Sequence, residues 1–127
     1  MPIHITWGNP EHTVILQEFQ GRWNINDLHT AFDQTNEMKK SVPHTVNFIC
    51  DLRQSGMPSG NFLSVVRRLE RQPSNIGRTI MVGANHYIKT LGEVFKTISP
   101  SVLKTFFFVG TLEEAWALIE AEKQDSA

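Results

Sequence analysis

Apolar and polar residues alternate at the start of the chain. In "IHITW", Ile3, Ile5 and Trp7 fall on one side of a strand. "GNPEH" supplies Gly8, Asn9 and Pro10, each suited to a bend, and "TVILQEF" follows, so the two runs read as an antiparallel hairpin that Gly21 closes. The period then changes. In "INDLHTAFDQTNEMKK", Ile25, Leu28 and Phe32 share one helical face, Asn24 or Asn26 offers an N-cap, and Lys39 and Lys40 suit the negative C-terminal end. Pro43 marks the boundary, and "HTVNFICDL" returns to alternation with Val46, Phe48, Cys50 and Leu52 facing one way. A Gly/Ser/Pro loop leads into a helix expected to begin near Ser59 and to end at Pro73. Phe62, Val65, Val66 and Leu69 form its apolar stripe, while Arg67, Arg68 and Arg71 point elsewhere. "RTIMVGA" reads as a buried strand, "YIKTLGEVFKTI" as a helix on Ile88, Leu91, Phe95 and Ile98, and "LKTFFFVG" as the last strand. "TLEEAWALIEAEK" closes the chain as a helix, with Thr111 and Glu114 spaced as a capping box.

Strands alternating with helices of this length require crossover connections, hence parallel pairing; only the first two strands are close enough for a hairpin. The expectation is an α/β fold: one mixed sheet of about five strands, an N-terminal antiparallel hairpin followed by parallel β-α units, and about four helices. The 127 residues suit a single domain over 1–127, with 122–127 expected to be loose. A content of 40% hydrophobic and 20% charged residues excludes a disordered chain. The net charge of −1 supplies no overall field for nucleic acid or an anionic membrane. No apolar run approaches the roughly 20 residues of a membrane span, and "MPIHITWGNP" lacks the features of a secretory signal. Cys50 is the only cysteine, so no internal disulfide forms and the expected location is the reducing cytoplasm.

The order of elements, together with "CDLRQSGMPSGNFL" after the third strand, resembles the STAS family of bacterial anti-sigma-factor antagonists, a fold shared more broadly with CRAL-TRIO lipid-binding domains. The resemblance covers nearly the whole chain as a pattern of elements, but few residues carry it. In the antagonists an Asp-Ser-Ser-Gly motif places a phosphorylated serine at the start of the next helix. Asp51 and Leu52 are similar to the family's strand end, and Ser59 and Gly60 to its Ser-Gly. Met57 and Pro58 stand where the family has Asp and the first Ser, so the acidic neighbour is missing. "MVGANHY" is also similar to the turn of STAS-like proteins of undetermined role. The resemblance implies a regulatory module acting through protein contact, with Ser59 as candidate phosphoacceptor.

The loop admits three readings. As a phosphate cradle it has Gly56 and Gly60, but it lacks GxxxxGK[ST] and GxGxxG, and no lysine lies between Lys40 and Lys89. As a regulatory site, Ser59 caps the helix, a phosphate there gains from the helix dipole, and Arg53 is near in sequence. As a plain turn, Ser59 caps and Pro58 fixes the entry, and Ser59→Ala costs about 1 kcal/mol. The interaction surface proposed for the second reading comprises Asp51, Arg53, Ser55, Gly56, Pro58, Gly60, Asn61, Arg67, Arg68 and Arg71, with the Asn85–His86 turn nearby.

Other chemistry is thinly marked. Cys50 alternates with inward-facing residues and reads as a small buried apolar group rather than a nucleophile. None of the five histidines forms HExxH or another helix-spaced pair, so no metal and no cofactor is implied. Asp51, Asn85 and His86 could meet where the parallel strands end, the usual place for functional loops. Arg53, Arg67, Arg68, Arg71 and Arg78 make the middle of the chain basic, but no aromatic residue lies in the run from Arg67 to Arg78 for bases to stack on, so nucleic acid is not expected. Phe95, Phe106, Phe107, Phe108 and Trp116 gather apolar mass near the C-terminus. The expected function is a non-enzymatic protein-contact module with an unidentified protein partner; the alternative is a small-molecule or lipid carrier using those C-terminal aromatics. A chain this short leaves little material to enclose a lipid once its core is filled.

Overall fold

The computed structural model describes residues 2–71 and 75–126. Its elements are β1 (Ile3–Trp7), β2 (Val14–Gly21), α1 (Ile25–Lys40), β3 (Val46–Ser55), α2 (Leu63–Glu70), β4 (Ile76–Val82), α3 (His86–Ile98), a 3₁₀ turn (Pro100–Leu103), β5 (Phe106–Val109) and α4 (Leu112–Ser126). The five strands form one sheet in sequence order, with β1 and β2 antiparallel and every later pair parallel. This is the α/β mixed sheet expected from the sequence. The Pro73 boundary lies outside the described residues.

Strand order dictates where the helices go. Each step from β2 to β5 moves one place in the same direction, and right-handed crossovers then lay α1, α2 and α3 on a single face. The opposite face is left to α4 alone. Leu112, Ala115, Trp116 and Ile119 recur at helical spacing along α4 and pack on Val14, Ile49, Ile80 and Val82 from the middle of the sheet. Ala115 and Ile119 are fully buried there. The Thr111 hydroxyl accepts from Glu114 N–H at 3.1 Å, one half of the capping box that the spacing predicts, and donates to the Glu114 carboxylate at 3.2 Å. Among the described residues no helix is long and apolar enough to cross a membrane.

The α1–α3 face is filled unevenly. Phe19, Cys50 and Leu52 from the sheet meet Trp23, Ala31 and Ile88 in a compact cluster. Farther along, α2 is only two turns long, and α3 buries little besides Ile88: Ile98, the last member of its predicted stripe, is 51% exposed. An apolar stripe that does not reach a packed partner leaves space under the helix, and that space is the cavity described below.

Candidate functional site: an apolar cavity under the helices

Two sites come from the sequence, the loop after β3 and the C-terminal aromatics. The loop does not have the expected form. β3 continues three residues beyond Leu52, pairing Gln54 with Gln20 and Ser55 with Gly21 beyond a register shift that leaves β3 with one extra residue. The chain keeps that company after the strand ends. Gly56 N–H donates to Gly21 O at 2.8 Å, Ser59 N–H to Trp23 O at 3.1 Å, and Ile25 N–H to Ser59 O at 2.9 Å. A bridge between Asn24 and Ser59 completes this strand-like run along the entry to α1. Gly60 then turns the chain at φ 120°, and helix begins only at Leu63, with Phe62 in the N-cap position and no side-chain cap.

Ser59 is therefore not a helix cap, contrary to the sequence expectation. Its backbone is committed to the segment before α1, and Gly60 has a φ that no helix accommodates. Ser59 is exposed, so its hydroxyl is accessible, but it has no place at the positive end of α2. The expected cost of Ser59→Ala accordingly falls from that of a lost cap to within about 0.5 kcal/mol, the range of ordinary surface substitutions. Urea denaturation of the two proteins checks this; a loss above 1 kcal/mol would restore a capping role.

The remaining loop residues are engaged locally. The Asp51 carboxylate accepts from Arg53 Nη2 at 2.8 Å, Nε at 2.9 Å and N–H at 3.2 Å. The bidentate guanidinium holds the Asp51 carboxyl below its ordinary range and in return occupies Arg53, which is not free to meet a phosphate on Ser59. Ser55 accepts from Trp23 Nε1 at 2.8 Å and donates to Gly56 O at 2.9 Å. Asn61 O accepts from the Ser64 hydroxyl. Pro58 is buried while Gly56 is half-buried. Asn85 caps α3 by accepting from Ile88 N–H at 2.9 Å, and His86 is exposed at the first turn, so Asp51, Asn85 and His86 are not drawn into one constellation by hydrogen bonds.

The arginines divide in the same way. Arg67 and Arg71 are exposed. Arg68 instead crosses to α1, where it pairs with Asp33, lies 5.3 Å from the Phe32 ring centroid and approaches His29 Nδ1. His29 Nε2 in turn meets the Ser64 hydroxyl at 3.0 Å, so α2 is strapped to α1 by polar groups at the surface. Arg78 donates to Leu118 O and stacks over Phe107 on the α4 side.

The C-terminal aromatics also split. Parallel pairing with β4 sends Phe106 and Phe108 to the α1–α3 face, where Phe95 joins them, and Phe107 to the α4 face with Trp116. The first group belongs to a half-open cavity of about 130 Å³ between the sheet and the three helices. Every layer contributes to it: Leu28 and Phe32 from α1, Phe48 and Leu52 from β3, Val65 and Leu69 from α2, Met81 from β4, Leu91 and Phe95 from α3, and Pro58 and Phe62 from the loop. The sequence-level expectation that the core would be filled is thus corrected. Five strands offer a wide face, and a two-turn α2 lacks the side chains to cover its share.

The polar groups within this apolar wall are of two kinds. Gln17 is satisfied by the protein: its Nε2 donates to Thr35 Oγ1 at 3.1 Å and its Oε1 accepts from Cys50 Sγ at 3.2 Å. Burial pushes the Cys50 thiol up to about 12, which removes it as a nucleophile at neutral pH. Lys39 and Thr79 differ. Lys39 is 3% exposed and its ammonium lies 5.5 Å from the Phe48 ring centroid; among the described residues it has no hydrogen-bond or ion-pair partner. Thr79, 9% exposed, pairs across the sheet with Phe48, and among the described residues its hydroxyl has no hydrogen-bond partner. Burial, and secondly the nearby Arg68 charge, pull the Lys39 ammonium down to about 8.

The sequence reading placed Lys39 at the end of α1 as a dipole partner. The missed signal is positional: Leu28, Phe32, Thr35 and Lys39 follow at steps of four, three and four, which puts the lysine on the inward stripe. No three His, Cys, Asp or Glu side chains among the described residues are grouped to hold a metal ion. Compared with family models, with curated proteins and with solved structures, the chain gives no match.

Proposed function

We propose that this chain is a binding module for small apolar molecules, which it holds in the cavity under α1–α3 without transforming them. One observation carries the reading: a half-open space of about 130 Å³ with apolar walls contributed by every element of that face. Close-packed interiors seldom keep such voids, because each forfeits dispersion contacts and destabilises the fold, whereas ligand sites are largely pre-formed apolar concavities. An apolar cavity of roughly this size takes up a single aromatic ring. In the cytoplasm, the buried Cys50 thiol on its wall would remain reduced.

The neutral single-ring fluorophore 4-(dimethylamino)benzonitrile, whose short-wavelength emission strengthens in apolar surroundings, tests the reading. Its emission should rise saturably on mixing with the protein, and Leu91→Trp, which fills the space, should abolish the rise while leaving the circular dichroism unchanged. Equal enhancement by the wild type and Leu91→Trp would show that the dye is held elsewhere and would overturn the proposal.

A STAS-like protein-contact module remains the second reading, favoured by the exposure of Ser59 on a segment anchored by backbone hydrogen bonds. A phosphate on that hydroxyl would stand in solvent without a helix dipole or Arg53 to receive it. The two readings share a boundary, since Pro58 and Phe62 of this loop also wall the cavity.

A further inference from the structure

Lys39 is the least explained residue in the fold. A buried ammonium is normally paired, because only a partner compensates for taking the charge out of water. This one has three donors, an aromatic ring below it, and no acceptor among the described residues. The nearest other cation on that side, Arg68, is committed to Asp33 and so does not compete for a ligand's charge. Thr79 adds a second unpartnered group on the same wall, next to Phe48 across the β3–β4 pairing. Two polar groups left open around one ring, inside an otherwise apolar cavity, are the arrangement expected of a site that fixes the head group of an amphipathic ligand.

Resting on the proposal that the cavity binds apolar molecules, we infer that its ligand is a monocarboxylic acid with an apolar body of about one ring or a short chain, its carboxylate seated on Lys39 Nζ and the Thr79 hydroxyl. The charge count selects the head group. One unpaired ammonium and one neutral hydroxyl balance a single negative charge, so a phosphate dianion would bring a second charge into an apolar wall with nothing to meet it. The cation–π contact with Phe48 keeps the ammonium over the ring and directed at the cavity while no ligand is present. The satisfied Gln17 amide, bonded to Thr35 and Cys50, is not needed by the ligand.

Calorimetric titration of wild type and Lys39→Met at pH 7 with sodium octanoate, 1-octanol and octyl phosphate tests the inference. Octanoate should bind wild type at least about ten-fold more tightly than octanol, the scale of one charge-assisted hydrogen bond, and more tightly than octyl phosphate. Lys39→Met should remove the octanoate advantage and leave octanol affinity within about three-fold. Octanol binding as well as octanoate to wild type would overturn the role of Lys39 while leaving the apolar cavity standing. Tighter binding of octyl phosphate would overturn the choice of head group. Failure of all three to bind would count against the cavity reading itself. Thr79→Val provides a second, near-isosteric variant and should weaken octanoate alone; equal weakening of octanol would assign Thr79 to packing.

Discussion

Lys39→Met should make the ligand-free protein more stable at neutral pH, and should flatten its stability in alkaline solution. The Lys39 ammonium is held down at about 8, against an ordinary value near 10.5. Below about pH 8 both the folded and unfolded chains carry this proton, and folding bears the whole cost of burying the charge. Between about 8 and 10.5 the unfolded chain binds a proton that the folded chain has released, so stability rises with pH across that window and levels off above it. The full shift corresponds to about 3 kcal/mol; solvent entering the half-open cavity screens part of it, and the cation–π contact returns some, leaving a gain of about 1–2 kcal/mol for the methionine variant at pH 7. Guanidinium denaturation at pH 7, 8, 9 and 10 checks this: the difference between the two proteins should shrink as pH rises. A variant less stable than wild type at pH 7 would mean that Lys39 has a partner in the free protein.

The second large effect is expected at Gly60. A Cβ there would stand 2.7 Å from Ile25 Cγ2 and 2.8 Å from Ile25 Cβ, at a backbone φ of 120° that side-chain-bearing residues rarely adopt. Ile25 opens α1 and its N–H is bonded to Ser59 O, so neither side can yield without breaking the seam between the loop and the helix. Gly60→Ala should cost about 2–4 kcal/mol, the sum of backbone strain and overpacking. Gly21→Ala is the control. Gly21 also has a positive φ, of 65°, but nothing lies within 4 Å of its added methyl group, so it should lose only about 1 kcal/mol. Urea midpoints of both variants separate steric conflict from strain; equal losses would show that the Ile25 contact yields freely.

The course of the chain was legible wherever periodicity was strong. Ile3, Ile5 and Trp7 marked a strand, the Thr111–Glu114 capping box marked the start of α4, and crossover logic turned an alternation of elements into one mixed sheet. Three things were not legible, each for a physical reason. The start of α2 depends on where the loop's backbone hydrogen bonds go: Ser59 has the composition of a cap, but pairing with Trp23 and Ile25 claims it first. The division of Phe106, Phe107 and Phe108 between the two faces depends on strand register, which a run of identical side chains does not reveal. The cavity is a shortage of volume under a short helix, and apolar stripes look the same whether they meet a packed partner or open space. Lys39, by contrast, could have been found, since its position on the inward stripe of α1 was plain and only its usual role as a dipole partner disguised it.

A methyl-selective ¹H–¹³C spectrum recorded during titration with octanoate tests the central claim most directly. Binding under α1–α3 predicts saturable shifts at Leu28, Val65, Leu69, Ile88 and Leu91, which line the cavity, with Val14, Ile49 and Ile119 on the α4 side unmoved. Shifts centred on the α4 side, or none at all at millimolar octanoate, would contradict it.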